Sequence, residues 1–276
     1  MNTLPSLFVS HGSPMIALEP GAAGAFMQRL GPAIDAAFGR PKAIVSVSAH
    51  TAARAPVLLS GARHEAIHDF GNFDAKLFTL RYDAPGAPAL AARAAGLLGD
   101  AGIAVQTLDQ GGLDHGAWTA LRYIYPHARI PVLPPAFVPM QPPAQQFALG
   151  EALAPLREEG VLVLGSGSIT HNLRRVFAGG MRGGAGQPGA PGRAAFLAWF
   201  GDPSAAVDWP ALLDYRQQAP HAVEMHPTDE HLLPWYVAAG AGGRSPAPGR
   251  LHDSVAHGVL GVEAYGIGGL AGARQG

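Results

Sequence analysis

The sequence contains no cysteine, which excludes disulfide bonds, thiolate zinc sites and a cysteine nucleophile. Charge is also scarce, because Asp, Glu, Lys and Arg make up only 14% of the 276 residues. The 19 basic residues nearly balance the 20 acidic ones, giving a formal net charge of −1, and no basic run is present. A phosphate backbone would find no complementary surface, so we expect no nucleic-acid partner.

Long apolar runs are absent as well. No stretch of about 18 apolar residues occurs, so no membrane span is expected. The first residues, MNTLPSLFVSHGSPM, have neither a basic start nor a long apolar segment, which predicts a cytoplasmic protein without a signal peptide. The GxSxG and P-loop motifs are missing, and Thr170 stands where a dinucleotide fingerprint starting at Gly165 needs its third glycine.

Short β-forming runs alternate with longer stretches rich in alanine and leucine. This pattern is typical of an α/β fold with a central, largely parallel or mixed sheet flanked by helices. The predicted strands are Leu7–Ser10, Ala43–Ala49, Val57–Ser60, Ala104–Leu108, Ile130–Leu133, Val161–Gly165 and Val259–Ile267. The predicted helices are Ala22–Phe38, Ala89–Leu98, Pro143–Leu156 and Ala194–Phe200. Two segments rich in glycine and proline, Gly179–Gly192 and Gly240–Gly249, are predicted surface loops, and residues 1–276 are predicted to form one domain.

Histidine is abundant, with 12 residues in a chain so poor in charge. His11, His50 and His171 each follow a predicted strand. In an open α/β sheet, ligands bind beyond the carboxyl ends of the strands, where these ends converge. Imidazole is both a common metal ligand and an acid–base group near neutral pH. The three positions therefore indicate a metal or acid–base site, and the alternative for each one alone is a hydrogen-bonded structural histidine.

Two further segments contain histidine next to a predicted helix. His115 lies between small residues in GLDHGAW, just before one helix. His226 and His231 lie in HPTDEHLLP, at the start of another helix for which Thr228 is the predicted N-cap. A capped helix with exposed acids would explain the cap but would leave both histidines unexplained.

The segment His64–His68 matches the H-E-x-x-H motif of zinc metalloproteases. That chemistry requires a helix, which brings both imidazoles to one face and makes Glu65 the general base. The nearby Gly61 and the loop-like residues 69–73 argue against a helix here, and no downstream glutamate occurs before Glu151. A zinc-dependent hydrolase is therefore kept only as an alternative.

The chain resembles the class III extradiol ring-cleavage dioxygenases of the LigB type, most closely the branch that includes the DOPA 4,5-dioxygenases. The matching blocks, in the family's order, are SHGSPM (Ser10–Met15), VSAH (Val47–His50), IHDFGNF (Ile67–Phe73), DHGAW (Asp114–Trp118), GSGSITHNL (Gly165–Leu173) and PTDEHLLPWY (Pro227–Tyr236). The resemblance implies a non-haem, metal-dependent enzyme that inserts both atoms of O2 into a catechol, next to its hydroxyls. A metal-binding homologue without catalysis is the remaining alternative.

The resemblance also implies a set of site residues. They are His11, His50 and His231 as metal ligands, His171 as the acid–base residue or a fourth ligand when zinc is bound, His115 as a second catalytic histidine, and Ser13 and His68 as substrate contacts. Many class III enzymes use two histidines and a glutamate, whereas here Glu230 is only adjacent to the third histidine. Three neutral ligands leave Fe(2+) and Zn(2+) both open for this single mononuclear site.

The expected partners are a small-molecule catechol and O2. Arg54, Arg63 and Arg81 are candidates to bind a substrate carboxylate, with a solvated surface position as the alternative for each. The sequence specifies neither the particular catechol nor the oligomeric state.

Overall fold

The computed structural model describes residues 3–174, 191–245, 247–256 and 260–269. Its strands are β1 (Ser6–Ser10), β2 (Ala43–Ser48), β3 (Val57–Leu59), β4 (Arg63–His64), β5 (Ala84–Pro85), β6 (Gln106–Leu108), β7 (Val132–Leu133), β8 (Pro135–Ala136), β9 (Val161–Gly167), β10 (Gly249–His252), β11 (Val255–Ala256), β12 (Leu260–Gly261) and β13 (Ala264–Ile267). Its helices are α1 (Gly21–Phe38), α2 (Pro88–Asp100), α3 (His115–Ile124), α4 (Pro143–Leu153), α5 (Pro191–Ala206), α6 (Trp209–Leu213), α7 (Tyr215–Gln218), α8 (Ala222–Met225) and α9 (Leu233–Gly242). Short 3₁₀ turns occur at Pro14–Ala17, Ala75–Thr79 and Ala154–Arg157.

A six-stranded mixed sheet forms the centre of the fold, with strand order β10-β13-β1-β9-β2-β7. The four strands β1, β9, β2 and β7 are parallel, and β13 and β10 add an antiparallel edge. Ser10 pairs with Gly167 across β1 and β9, and Ser48 pairs with Ser166 across β2 and β9. The carboxyl ends of three neighbouring strands therefore lie level at one edge of the sheet.

Alternating side chains of the central strands enter two separate apolar layers, one on each face of the sheet. Leu7 and Val9 of β1 pack with residues of α1 and α3, whereas Phe8 packs with residues of α4 and α9. All residues of β1, β2 and β9 are buried, as expected for parallel strands covered by helices on both faces. The predicted mixed sheet flanked by helices is confirmed.

The boundaries of several predicted elements differ from those observed. The helix predicted to run to Leu156 ends at Leu153, because Pro155 cannot continue the backbone hydrogen bonding and a 3₁₀ turn follows. The strand predicted over Val259–Ile267 is divided into β12 and β13, and residue 259 lies outside the described residues. No described helix is long and apolar enough to cross a membrane.

One of the two predicted surface loops, Gly240–Gly249, was predicted to begin too early in the chain. Gly240 is not in a loop but in the buried helix α9, which continues to Gly242. A Cβ atom on Gly240 would lie 2.0 Å from the carbonyl oxygen of Phe147, so glycine here permits close packing of α9 on α4. In the other segment, Gly179–Gly192, residues 179–190 lie outside the described residues and the last two begin α5.

Candidate metal centre

The ends of β1 and β2 deliver two histidines to the same point above β9. The N–H of His11 donates to the carbonyl of Gly167, 3.1 Å away, so the β1–β9 pairing extends to this residue. The N–H of Ala49, the residue before His50, donates to the carbonyl of Ser166 at 3.0 Å, so the β2–β9 pairing also extends to the site. The Nε2 atoms of His11 and His50 lie 3.3 Å apart, an arrangement in which both nitrogens can face one ion.

The tautomer of His11 follows from its hydrogen bonds. The Ser166 hydroxyl donates its only proton to the carbonyl of Gly116 at 2.6 Å. Its oxygen must therefore accept the bond from His11 Nδ1–H, which is 3.0 Å away. The Nε2 atom of His11 then carries a free lone pair, and such a bond on the outer nitrogen is the usual support of a metal-bound histidine.

His231 reaches the same point from the turn that precedes α9. Its carbonyl accepts the N–H of Ser168 at 2.8 Å, which ties this turn to the end of β9. A Cβ atom on Gly167 would lie only 2.1 Å from this carbonyl oxygen, so the close approach requires glycine. The ring of His231 lies 4.9 Å from that of His50 and 5.5 Å from that of His11. Its Nδ1 is bonded to Glu230 Oε1 at 3.2 Å.

The predicted N-cap of this helix is wrong. Helix α9 begins at Leu233, and Thr228 instead donates to Glu230 Oε1 at 3.0 Å. The intervening residues form a turn, because the carbonyl of Asp229 accepts the N–H groups of Leu232 and Leu233. The carboxylate of Asp229 is not a free surface acid, since it accepts hydrogen bonds from Tyr215 and Arg216.

The three histidines from β1, β2 and the α9 turn fit a metal ion. His11, His50 and His231 each offer one ring nitrogen, and these nitrogens all lie within 4.8 Å of one another. Burial, with smaller contributions from the neighbouring histidines, lowers the pKa of His11 and of His231 well below the usual value. Burial also lowers the pKa of His50. The rings are therefore neutral near pH 7, which is the state that binds metals.

His171 lies beside this group rather than within it. Its ring stacks on that of His231 with centroids 3.4 Å apart and an interplanar angle of 11°. Its backbone N–H donates to the carbonyl of Met225 at 2.9 Å. Burial lowers the pKa of His171 to about 4, so the ring is neutral at pH 7 and able to accept a proton.

His115 is the first residue of α3, and its ring lies 4.0 Å from that of His50. Asp114 is the N-cap of this helix and accepts the N–H of Ala117 at 3.0 Å. Asp69 lies over the same helix start, and its carboxylate accepts the backbone N–H of His115 at 2.8 Å and Nδ1–H at 3.0 Å. Burial opposes ionisation of Asp69, but these interactions with His115 outweigh it and lower its pKa.

A cavity of about 250 Å³ opens onto the histidines. Its lining consists of His11, Gly12, Ser13, Pro14, His50, Phe70, Gly71, Phe73, His115, Ser168, His171, Leu173 and His231. We call it the histidine cavity. Six of the seven predicted site residues lie outside the segment His64–His68, and all six line this cavity. They are Ser13 and the histidines His11, His50, His115, His171 and His231. Ser13 also accepts the N–H of Met15, which caps the following 3₁₀ turn.

His68 is the predicted site residue that the structure does not bring to the histidine cavity. Its Nε2 bonds to the carbonyl of Leu80 at 3.1 Å, and its ring packs between Phe70, Phe78 and Trp118. His226 also lies apart from the cavity lining. It is fully buried, and its Nε2–H donates to the carbonyl of Ile169 at 2.7 Å, which supports the turn that carries His171.

The H-E-x-x-H segment is not helical, as Gly61 and the loop-like residues 69–73 predict. His64 belongs to β4, and the residues after it run extended alongside Leu113. The N–H of Ile67 donates to the carbonyl of Leu113 at 2.7 Å, and the N–H of Leu113 donates to that of Glu65 at 2.9 Å. An extended chain does not place the two imidazoles on one helix face, so the hydrolase alternative loses its geometric basis.

Sequence reasoning missed several polar contributors to this site. These are Asp69 and Ser166, which both orient histidines. It also missed the apolar wall formed by Phe70 and Phe73, whose ring centroids lie 5.6 Å apart. The acid beside a histidine in IHDFGNF was the available signal for Asp69. Among the arginines considered for a carboxylate, Arg63 pairs with Asp83 in an exposed contact, and none of the three lines the histidine cavity.

Comparison with known proteins identifies the family. Residues 5–267 match the family model described as the catalytic LigB subunit of aromatic ring-opening dioxygenase. The chain belongs to the LigB family. It is a non-haem extradiol ring-cleaving dioxygenase, and the metal dependence of LigB enzymes agrees with the histidine group described above.

Relatives within the LigB family cover nearly the whole chain. A protein named 4,5-DOPA dioxygenase extradiol from Beta vulgaris is 35% identical over 268 residues, which is 96% of both chains. A protein of the same name from Escherichia coli (strain K12) is 36% identical over 247 residues, 86% of this chain and 85% of that one. The crystal structure of an uncharacterized Escherichia coli K12 protein superposes with a TM-score of 0.77 at 30% identity, covering 96% of this chain and all of that chain.

Proposed function

We propose that the protein cleaves the ring of a catechol with O2 at an iron(II) ion held by His11, His50 and His231. The observation that carries this proposal is the convergence of three neutral ring nitrogens at the carboxyl edge of the sheet. Zinc would accept the same ligands but has no redox chemistry. Iron(II), held by these three histidines, would supply the electron exchange with O2 that ring cleavage requires.

The histidine cavity suits a substrate with one aromatic ring. Its volume of about 250 Å³ is small for a ligand site, and Phe70, Phe73 and Leu173 give it an apolar wall on which a ring can pack. Because relatives are named 4,5-DOPA dioxygenases, DOPA is the first catechol to test.

The histidines outside the ligand group manage protons. His171 is neutral at pH 7 and faces the cavity, so it takes the proton of a catechol hydroxyl as the substrate binds. His115 is the second proton carrier, and its Nε2 is its free nitrogen because Nδ1 is bonded to Asp69. Ser13, which also lines the cavity, contacts the substrate.

The test is anaerobic reconstitution with iron(II), followed by O2-electrode measurements on a panel of DOPA, caffeate and protocatechuate. The expected result is O2 uptake and a yellow ring-opened semialdehyde, identified by mass spectrometry. Resorcinol, whose hydroxyls are not adjacent, and the zinc-loaded protein are the matched controls and should show no uptake. A muconic diacid as the sole product, or no uptake with any catechol, would overturn the proposal.

Residues 1–276 act as one domain, since both apolar layers pack on the same central sheet. The protein works in the cytoplasm, which cell fractionation with an antibody against it would test.

A further inference from the structure

The segment with the H-E-x-x-H pattern has a structural task that its sequence does not reveal. We call residues 65–69 the strap, because they are fastened to the start of α3. Backbone hydrogen bonds join Glu65 and Ile67 to Leu113, and the indole N–H of Trp118 donates to the carbonyl of Ile67 at 3.0 Å. The last residue of the strap, Asp69, is thereby placed over the N-terminus of α3.

The approach of the strap to α3 depends on a glycine. A Cβ atom on Gly112 would lie 2.7 Å from Ile67 and 2.8 Å from the carbonyl oxygen of Glu65. The contact with the carbonyl oxygen is too short for a Cβ atom, so any other residue at position 112 would force the backbone of the strap away from α3. The strap therefore packs at one defined position against Gly112, and this fixes the position of Asp69 relative to His115.

Asp69 holds His115 at two points. One carboxylate oxygen accepts the backbone N–H at 2.8 Å, and the other accepts Nδ1–H at 3.0 Å. The backbone N–H can only donate, so the first bond fixes which carboxylate oxygen faces the backbone and which one faces the ring. Since a carboxylate can only accept, the second bond keeps the proton of a neutral His115 on Nδ1.

A second histidine lies close to the same carboxylate. Asp69 Oδ2 is 3.7 Å from Nδ1 of His50, one of the proposed ligands. This separation is longer than a hydrogen bond, whereas both bonds to His115 are within hydrogen-bond range. The distances therefore favour an action of Asp69 through His115 over an action through the metal ligand.

We infer that Asp69 is a positioning residue, which fixes the orientation and the tautomer of His115 so that Nε2 is presented as the proton acceptor in the histidine cavity. This inference rests on the proposed function, because it assigns a task to His115 in the proposed reaction. Carboxylate–histidine pairs of this kind lose much of their activity when the tautomer is wrong, even with the geometry intact.

The decisive variant is Asp69→Asn. Its amide oxygen still accepts the backbone N–H, but its NH2 group then faces Nδ1 as a donor and forces the ring proton of His115 onto Nε2. We expect kcat to fall by about 10²–10⁴-fold, with KM changed by less than about threefold. Asp74→Asn is the matched control, because Asp74 lies in the same loop but only caps an exposed 3₁₀ turn. It should behave as the parent.

A readout independent of turnover is the ¹⁵N NMR spectrum of the histidine rings in the metal-free protein. The parent should show His115 with its proton on Nδ1, and Asp69→Asn should show it on Nε2. His115→Ala identifies the signals. An unchanged His115 tautomer in Asp69→Asn would overturn the inference whatever happens to the rate.

A double-mutant comparison separates the two routes. If Asp69 acts through His115, adding Asp69→Asn to His115→Ala should change kcat by less than about twofold, and iron content should equal that of the parent. If it acts through His50, the effects should multiply, and iron affinity should drop by about 10–100-fold. Either of those latter results would refute the action through His115.

Failure of the inference and failure of the proposed function give different results. If the parent protein takes up no O2 with any catechol, the proposed function fails, while the NMR arm still tests the tautomer. If the parent is active and Asp69→Asn keeps full kcat, only the inference fails.

Discussion

His11 and His50 reach the site from the ends of β1 and β2, whereas His115, His171 and His231 reach it from a helix start and two turns. The strand-end pair is held by backbone hydrogen bonds that continue the sheet. The other three are held by contacts between segments far apart in sequence, such as Asp69 with His115 and Ser168 with His231. The sheet therefore holds two of the three proposed ligands on a rigid platform, whereas the turns and the helix start bring the third ligand, His231, together with the groups that handle substrate and protons.

Removal of a strand-end histidine should have the largest effect. His50→Ala deletes one of three ligands, so we expect loss of most bound iron and, with it, at least about a thousandfold loss of O2 uptake. Metal analysis by mass spectrometry beside O2-electrode rates measures both. Full iron occupancy in His50→Ala would show that the ligand platform is assigned to the wrong residues.

Removal of a loop histidine should separate the rate from the metal. His171→Ala should keep most of its iron, while single-turnover rates fall by about 10²–10⁴-fold, the usual contribution of an acid–base group. His171 stacks on His231 without belonging to the three-nitrogen group, which is the reason for the difference. If this variant loses iron as completely as His50→Ala, His171 is a ligand, and His115 becomes the next candidate for the base.

Acid should destabilise the fold through His226, whose ring donates a hydrogen bond to the turn that carries His171. Burial lowers the pKa of His226 to about 4, below its value of about 6.5 in the unfolded chain. The unfolded chain therefore binds more protons between these values, and the free energy of unfolding falls as the pH drops from about 6.5 towards 4. The loss from this residue is roughly 3 kcal/mol.

Urea unfolding of the metal-free protein between pH 4.5 and 7.5 measures this effect. His226→Gln keeps an N–H donor for Ile169 but removes the titration, so its unfolding free energy should depend less steeply on pH than that of the parent. Equal pH slopes in the two proteins would rule out His226 as a source of acid sensitivity.

The smallest effect is expected at Glu65, the first residue of the strap. Glu65 is exposed, and only its backbone carbonyl contacts Leu113, so Glu65→Gln should leave iron content and O2 uptake within about threefold of the parent. The same assays apply. A loss of about a hundredfold or more would restore the metalloprotease-like reading of the H-E-x-x-H segment.

The part of the site at the strand ends, with His11 and His50, was largely predictable from the sequence. The apolar runs of β1, β2 and β9 end in turn residues or histidines, and parallel strands bring their carboxyl ends together. The helices α1, α2 and α4 were predicted from composition with small errors at their ends. Composition failed at Gly240, where glycine serves close helix packing rather than a loop.

The part of the site that comes from the turns and the start of α3, with His115, His171 and His231, was predictable only through the resemblance to a family. No periodicity marks residues 65–73, and the position of Asp69 depends on pairing with a segment 46 residues away. The start of α9 was misplaced because Thr228 has the right chemistry for an N-cap, yet Asp229 and Glu230 are used in side-chain contacts of the preceding turn. Contacts of this kind are set by the folded chain and not by local propensity.

The place of Ser166 within β9 has a consequence for insertions and deletions. Its neighbours on the strand are both glycine, and Ser166 pairs with Val9 on one side and Ser48 on the other. Successive side chains of a strand point to opposite faces. A deletion of one residue between Val161 and Leu164 could keep the sheet intact, but it would put a residue without a hydroxyl beneath His11. We expect this stretch to accept many substitutions of apolar residues and no change in length.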